Sequence, residues 1–379
     1  MSSPINVLVV DDSALMRNLV SKIVQSCPDL AVVGTAMNGR FALSKIEMLK
    51  PDLIVLDLEM PEMNGIEFLR ERKARGIDIP VIELSSIAQK GAAVTMEALA
   101  LGASDFIMKP SGSVSEDIHV IGAQLIELIK YFGKQYLQRH PDRPVPVAPE
   151  PVVIEHTTPM PAFKYPKAET IDPRSVPRYT PEAKPGPLEI IAIGISTGGP
   201  NALRKVFNEL DPNLKVPIVV VQHMPAGFTT EFAKSLDRTC PLEVKEAAEG
   251  DLIKPGRILI APGDYHIKVE KRPLAAILHL DSSSAVNGHR PSADVLFESV
   301  YEHYGNRAMA VIMTGMGKDG AQKIGLIYKA GGVTLGQDEK SSVVYGMPRV
   351  AHENGYITRQ VPLDDMAKTI SDLARQLAT

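Results

Sequence analysis

Residues 190–203 read IIAIGISTGGPNAL: five apolar residues and one glycine run into a serine set among glycines, and a helix-like stretch follows. A short apolar run closed by glycine reads as a buried strand, and a strand turning sharply into a helix is the repeating unit of a parallel α/β sheet. The turn itself admits three readings. A phosphate-cradling loop needs a lysine that residues 194–201 lack, and a dinucleotide fingerprint needs glycine where Ser196 stands. What fits is G-x-S-x-G over Gly194–Gly198, a turn that lifts a serine hydroxyl above the sheet edge. The same pattern also fits a glycine-rich turn with an incidental serine, so the decision rests on finding a base and an acid.

Outward from this turn the alternation continues. VPIVVVQ, AMAVIMTG and GVTLG are strand-like, and Ala293–Tyr304 and Gly320–Ala330 are helix-like. Between about 240 and 285 the tempo changes to short strands with turns (RILIAPGDYHIKVE, AAILHLD), expected as hairpins attached to the main sheet. Upstream, NVLVV, AVVGTA, LIVLD, VIELS and DFIMK alternate with amphipathic stretches such as Ser13–Gln25 and Gly91–Leu101, giving five strand–helix repeats and a second parallel sheet covered on both faces. Thirteen of the thirty prolines fall between Pro141 and Pro187 with no helical or strand period. The expected organisation is an α/β domain over 1–138, a proline-rich extended linker over 139–187, and a doubly wound, mostly parallel α/β domain with an added hairpin over 188–379. A linker of that length would allow the first domain to be repositioned against the second.

At 379 residues the chain exceeds the usual size of one core. A net charge of −4 offers no basic excess, which argues against nucleic acid as a direct ligand. No apolar run reaches the ~18 residues that span a bilayer, so no membrane insertion is expected. The first residues lack the charge pattern of a signal peptide, and Cys27 and Cys240 fit neither a disulfide framework nor zinc-ligand spacing. A cytoplasmic protein with reduced thiols is the expectation.

Candidate chemistry gathers at strand ends, where ligands sit in open parallel sheets. In the second domain His223 directly ends VPIVVVQH, on the edge that carries Ser196, and Asp319 lies just beyond AMAVIMTG. His266 and His289, in glycine–proline turns, are the rivals for the base. Serine, histidine and aspartate at three strand ends are what nucleophilic acyl transfer requires, and the amides of Thr197 and Met316 are candidate donors to an oxyanion. The chain order Ser–His–Asp differs from that of α/β-hydrolases. In the first domain Asp11, Asp12 and Asp57 gather three carboxylates at one edge, a set that suits Mg²⁺, and Ser85 and Lys109 bring a hydroxyl and an ammonium to it.

VVDDSALMR, LIVLDLEMPEMNG, ELSS and DFIMKP resemble the receiver domain of two-component response regulators over about residues 4–130. The resemblance implies a flavodoxin-like five-stranded parallel sheet in which Asp57 takes phosphate from a histidine kinase. Asp11 and Asp12 would hold Mg²⁺ with the backbone carbonyl of Glu59, Lys109 would pair with phosphoryl oxygens, and Ser85 and Phe106 would form the switch; tyrosine is more frequent in the family where Phe106 stands. GISTGGP, VVQHMPAGFTTEFA, APGDYHI, NGHRPSADVLFESV and IMTGMGKDG together resemble the catalytic domain of the chemotaxis protein-glutamate methylesterases, the CheB family. That resemblance implies hydrolysis of glutamate methyl esters on methyl-accepting chemotaxis receptors with release of methanol, and deamidation of receptor glutamine. It assigns Ser196, His223 and Asp319 as a triad that needs no cofactor. The competing readings are a receiver-controlled binding module and a hydrolase acting on another protein.

Overall fold

The computed structural model describes residues 4–85, 89–109, 117–141, 176 and 179–377, and the chain divides into two compact units, Met1–Glu169 and Thr170–Thr379. Most of the proline-rich stretch 139–187 lies outside the described residues. Those at its far end are tied to the second unit, Glu182 N–H to the Lys329 carbonyl at 2.8 Å and Gly186 N–H to that of Asn306 at 3.0 Å.

The first unit alternates β1 (Ile5–Val10), α1 (Ala14–Gln25), β2 (Leu30–Ala36), α2 (Gly39–Leu49), β3 (Leu53–Asp57), α3 (Gly65–Ala74), β4 (Val81–Ser85), α4 (Gln89–Ala100), β5 (Asp105–Met108) and α5 (Asp117–Arg139). The strands form one parallel sheet in the order β2-β1-β3-β4-β5. Helix starts are written locally. Ser13 accepts the Met16 N–H ahead of α1, and Asn64 with Glu67 closes a reciprocal capping box ahead of α3. Leu53–Asp57 and Val81–Ser85 are buried throughout, as strands covered on both faces must be.

Within β4 that burial encloses a carboxyl group. Glu83 has no exposed surface; one oxygen accepts the Thr95 hydroxyl of α4 at 2.7 Å, and the other has no hydrogen-bond partner among the described residues. Burial, opposed by the Thr95 and Ser85 hydroxyls and assisted by the charges of Asp57 and Asp105, pushes its pKa up to about 8. The folded protein therefore holds this proton over roughly pH 4.5 to 8 while the unfolded chain has lost it, so the group lowers stability as pH rises through that window. Glu83→Gln keeps the acceptor and removes the titration. Thermal unfolding should show the variant gaining on the wild type between pH 5 and pH 8, on the order of 1–3 kcal/mol. An identical pH slope in both proteins would show that Glu83 does not carry the titration.

The second unit runs β6 (Ile190–Ile195), α6 (Gly199–Asn208), β7 (Ile218–Gln222), α7 (Phe228–Asp237), β8 (Glu243–Glu246), β9 (Arg257–Ile260), β10 (His266–Lys271), β11 (Ala276–Asp281), α8 (Ala293–Tyr304), β12 (Ala308–Ile312), α9 (Ile324–Ala330), β13 (Val333–Gln337), α10 (Met347–Glu353), β14 (Arg359–Val361) and α11 (Leu363–Leu377). Seven strands form one parallel sheet in the order β14-β13-β12-β6-β7-β9-β8. The region expected as hairpins on this sheet divides differently. Arg257–Ile260 joins the parallel sheet, whereas β10 and β11 make an antiparallel ribbon of their own. The reason is in the burial: RILI is covered nearly throughout, while HIKVEK alternates and buries one face. That face, with Ile267, Val269 and Leu278, packs into the core with Leu296, Phe297 and Val300 of α8.

The chain builds outward from β6 toward β7, β9 and β8, then crosses back to lay down β12, β13 and β14 on the other side. The direction reverses between β6 and β12, and in open parallel sheets the carboxyl ends at such a reversal are where ligands sit.

Candidate active site

Ser196 follows β6 at that reversal and is 6% exposed. Its backbone is held from both flanks. The Ser196 N–H donates to the Thr314 carbonyl at 2.9 Å, and its carbonyl accepts Gln222 Nε2 at 3.1 Å. Gln222 ends β7 and donates also to the His223 carbonyl at 3.2 Å, so one amide ties the serine turn to the histidine turn. Gly198 has φ 80°, and a Cβ there would stand 2.5 Å from a Val343 methyl carbon; only glycine closes this turn against its neighbour. The T-G-M-G loop after β12 lies against the serine: a Cβ on Gly315 would come within 2.7 Å of Ser196 Cβ. Thr314 Oγ1 donates to the Thr197 carbonyl at 2.9 Å. Among the described residues the Thr197 and Met316 amides donate to nothing else, as groups kept for a ligand oxygen would be.

His223 and Asp319 stand together. His223 Nε2 lies 2.8 Å from Asp319 Oδ2, with side-chain exposures of 7% and 1%. With Nε2–H donating to the carboxylate, Nδ1 carries the lone pair, and that atom is buried with no hydrogen-bond partner among the described residues. Asp319 also accepts the Ser292 hydroxyl at 2.6 Å, the Ala293 and Asp294 N–H groups at 2.6 and 3.4 Å, and Asn287 Nδ2 at 3.0 Å. The two amides belong to the first turn of α8, whose dipole favours a negative charge at this end. Burial pushes the Asp319 carboxyl up, but the hydrogen bond and charge of His223 and the bonds from Ser292 and Asn287 outweigh it and hold the group well below the usual carboxylate range.

Of the rival histidines, His266 is fully buried and structural, accepting the Ser292 N–H on Nδ1 at 3.1 Å. His289 is at the site: its ring stacks on His223 with centroids 3.8 Å apart and planes 11° from parallel. Asn287, Ser292 and the first amides of α8 were not singled out as site groups in the sequence, although Ala293–Tyr304 was read as helix-like. The signal that could have found Asn287 is the Asn-Gly pair at 287–288, a turn dipeptide directly before His289.

In the first unit Asp11, Asp12 and Asp57 place one carboxylate oxygen each within 4.8 Å of one another, Asp12 being exposed. Lys109 Nζ lies 2.8 Å from Asp57 and 3.1 Å from Asp11. Burial and the Asp11 charge push the Asp57 carboxyl up against the pull of Lys109 and of the Glu59 N–H, which donates to it at 3.2 Å. Three carboxylates against one ammonium leave an excess negative charge on an all-oxygen donor set with one side open to water, which fits a small divalent cation. Ser85 Oγ lies 2.7 Å from Thr95 Oγ1, which also donates to Glu83. Phe106 is half-buried on β5.

Two family models match the chain: a CheB methylesterase model over residues 191–370 and a response regulator receiver domain model over residues 7–118. The chain is 55% identical to a protein-glutamate methylesterase/protein-glutamine glutaminase of Treponema denticola over 377 residues, covering 99% of both proteins. It is 50% identical to the protein of the same description in Treponema pallidum, covering 100% of this chain and 99% of the other. The crystal structure of the Thermotoga maritima CheB methylesterase catalytic domain is 40% identical and covers 49% of this chain and 98% of its own, with a TM-score of 0.48. Among the described residues no helix is long and apolar enough to cross a membrane.

Proposed function

The chain belongs to the CheB methylesterase family with a receiver domain in front, and from that membership we propose that it hydrolyses glutamate γ-methyl esters, and deamidates glutamine, on methyl-accepting chemotaxis receptors. Ser196 is the nucleophile, His223 the base and Asp319 the orienting acid. The observation that carries this reading is the buried His223–Asp319 pair, with Nδ1 left as the basic atom just past the end of β7, the strand beside β6, which Ser196 follows.

Ser196 Oγ attacks the ester carbonyl carbon as its proton passes to His223 Nδ1. The tetrahedral oxyanion is met by the Thr197 and Met316 amides. Collapse expels methanol, which takes the proton from His223. A water molecule then attacks the acyl-enzyme by the reverse proton path, returning Ser196 and leaving glutamate. With a glutamine side chain the leaving group is ammonia and the rest is unchanged.

In the receiver, Asp57 accepts phosphate from a histidine kinase. Asp11 and Asp12, with Asp57 and the Glu59 carbonyl, would hold Mg²⁺, which when bound neutralises charge on the transferred phosphoryl group. Lys109, already paired with Asp57, pairs with the phosphoryl oxygens, and Ser85 and Phe106 relay the change. Methanol release from methylated receptor membranes, with and without a small phosphodonor, tests the whole reading. Release should rise on phosphorylation, and Asp57→Asn should lose that rise, by about tenfold or more relative to the stimulated wild type. Stimulation that survives in Asp57→Asn would remove Asp57 from this role.

A further inference from the structure

The segment bearing His289 is a two-residue reverse turn. The Val286 N–H donates to the His289 carbonyl at 3.0 Å and the His289 N–H to that of Val286 at 2.9 Å, while Asn287 and Gly288 between them have φ 53° and 80°. Left-handed backbone at both central positions is the requirement of a type I′ turn, which Asn-Gly meets with least strain. The flanks are pinned: the Asp264 N–H donates to the Arg290 carbonyl at 3.2 Å, and the Arg290 guanidinium donates to the carbonyls of Ser282 and Ser283 at 2.9 and 3.0 Å. From this fixed turn two side chains reach the triad. Asn287 Nδ2 bridges Asp319 Oδ1 at 3.0 Å and Asp294 Oδ2 at 2.7 Å, and the His289 ring covers a face of His223 at 3.8 Å.

We propose that the Val286–His289 turn is a positioning element for the acyl transfer, in which His289 fixes the plane of the His223 ring by stacking and Asn287 fixes the Asp319 carboxylate; this rests on the triad reading above. One hydrogen bond at Nε2 leaves an imidazole free to swing about the Nε2···Oδ2 line, changing where Nδ1 points. A parallel ring at 3.8 Å removes that freedom. The choice of ring matters electrically. Burial, and then the neighbouring His223, lower the His289 pKa to about 4 against the pull of Asp319, so His289 is neutral at working pH. A neutral aromatic face does not repel the imidazolium formed when His223 takes the serine proton, and it attracts such a cation. Asn287 donates to Asp319 without adding charge and separates that carboxylate from Asp294. Both residues act through His223 and Asp319, and so position rather than catalyse.

The test is steady-state methanol release by the full-length enzyme from a peptide carrying a glutamate γ-methyl ester. His289→Ala should lower kcat about tenfold with KM within about twofold of wild type, and His289→Phe, which keeps a flat ring, should recover kcat to within about threefold. Asn287→Ala should lower kcat by a similar factor. A purely structural role predicts instead that melting temperature and kcat fall together and that phenylalanine rescues neither. The proposal is overturned if His289→Ala stays within twofold of wild type, or if His289→Phe melts like the wild type yet is as slow as the alanine variant. Ser196→Ala run in parallel separates the failures: if it is inactive while His289→Ala is normal, this inference alone falls, and if it stays active the triad falls with it.

Discussion

Ser196→Ala is expected to lower methanol release by about 10³-fold or more with no change in melting temperature, because removing a triad nucleophile leaves only the binding and oxyanion contributions. The mildness toward the fold follows from how the turn is built. Ser196 is held by its own amide and carbonyl, through Thr314 and Gln222, and Gly315 packs on its Cβ, all of which alanine keeps. What is lost is the hydroxyl alone. A variant that releases methanol at more than about a tenth of the wild-type rate would take Ser196 out of the chemistry.

Asp319→Asn should cost about 10²- to 10⁴-fold in kcat, for a reason visible in the donor count. Among the described residues every group that meets this carboxylate is a donor: His223 Nε2–H, the Ser292 hydroxyl, the Ala293 and Asp294 amides and Asn287 Nδ2. An asparagine must turn its NH₂ toward one of them. Facing His223, it forces the tautomer with hydrogen on Nδ1, the nitrogen that must take the serine proton. Facing the start of α8, it sets donor against donor in a site that is 1% exposed, at a cost of about 1–3 kcal/mol in stability. The checks are kcat together with thermal unfolding. A fully active Asp319→Asn enzyme would mean that the tautomer of His223 does not matter to the reaction.

The parallel sheets were legible because IIAIGI, VPIVVVQ and AMAVIM are continuous apolar runs closed by glycine or polar residues, and such runs have little choice but to be central strands. Ser196, His223 and Asp319 were legible for the same reason, each being tied to a strand end that the pattern already placed. What surrounds them was not. His289 and Asn287 sit on a turn whose position depends on the β10–β11 ribbon packing on α8, a long-range arrangement that no local period encodes. Which nitrogen of His223 faces Asp319 depends on side-chain rotation, and Ser292 and Ala293 join the site only because α8 begins beside the Asp319 loop. Glu83 was hidden inside VIELS, where no local pattern marks a lone charged residue as a core group; the covering α4 and its Thr95 make it one.

The most direct single measurement is peptide mapping by mass spectrometry after treating the full-length protein with a serine-directed phosphonate. A hydroxyl activated by the His223–Asp319 pair predicts one adduct, on Ser196, formed in the wild type and much more slowly in Asp319→Asn. An unlabelled Ser196, or labelling that proceeds as fast without the Asp319 carboxylate, would contradict the account.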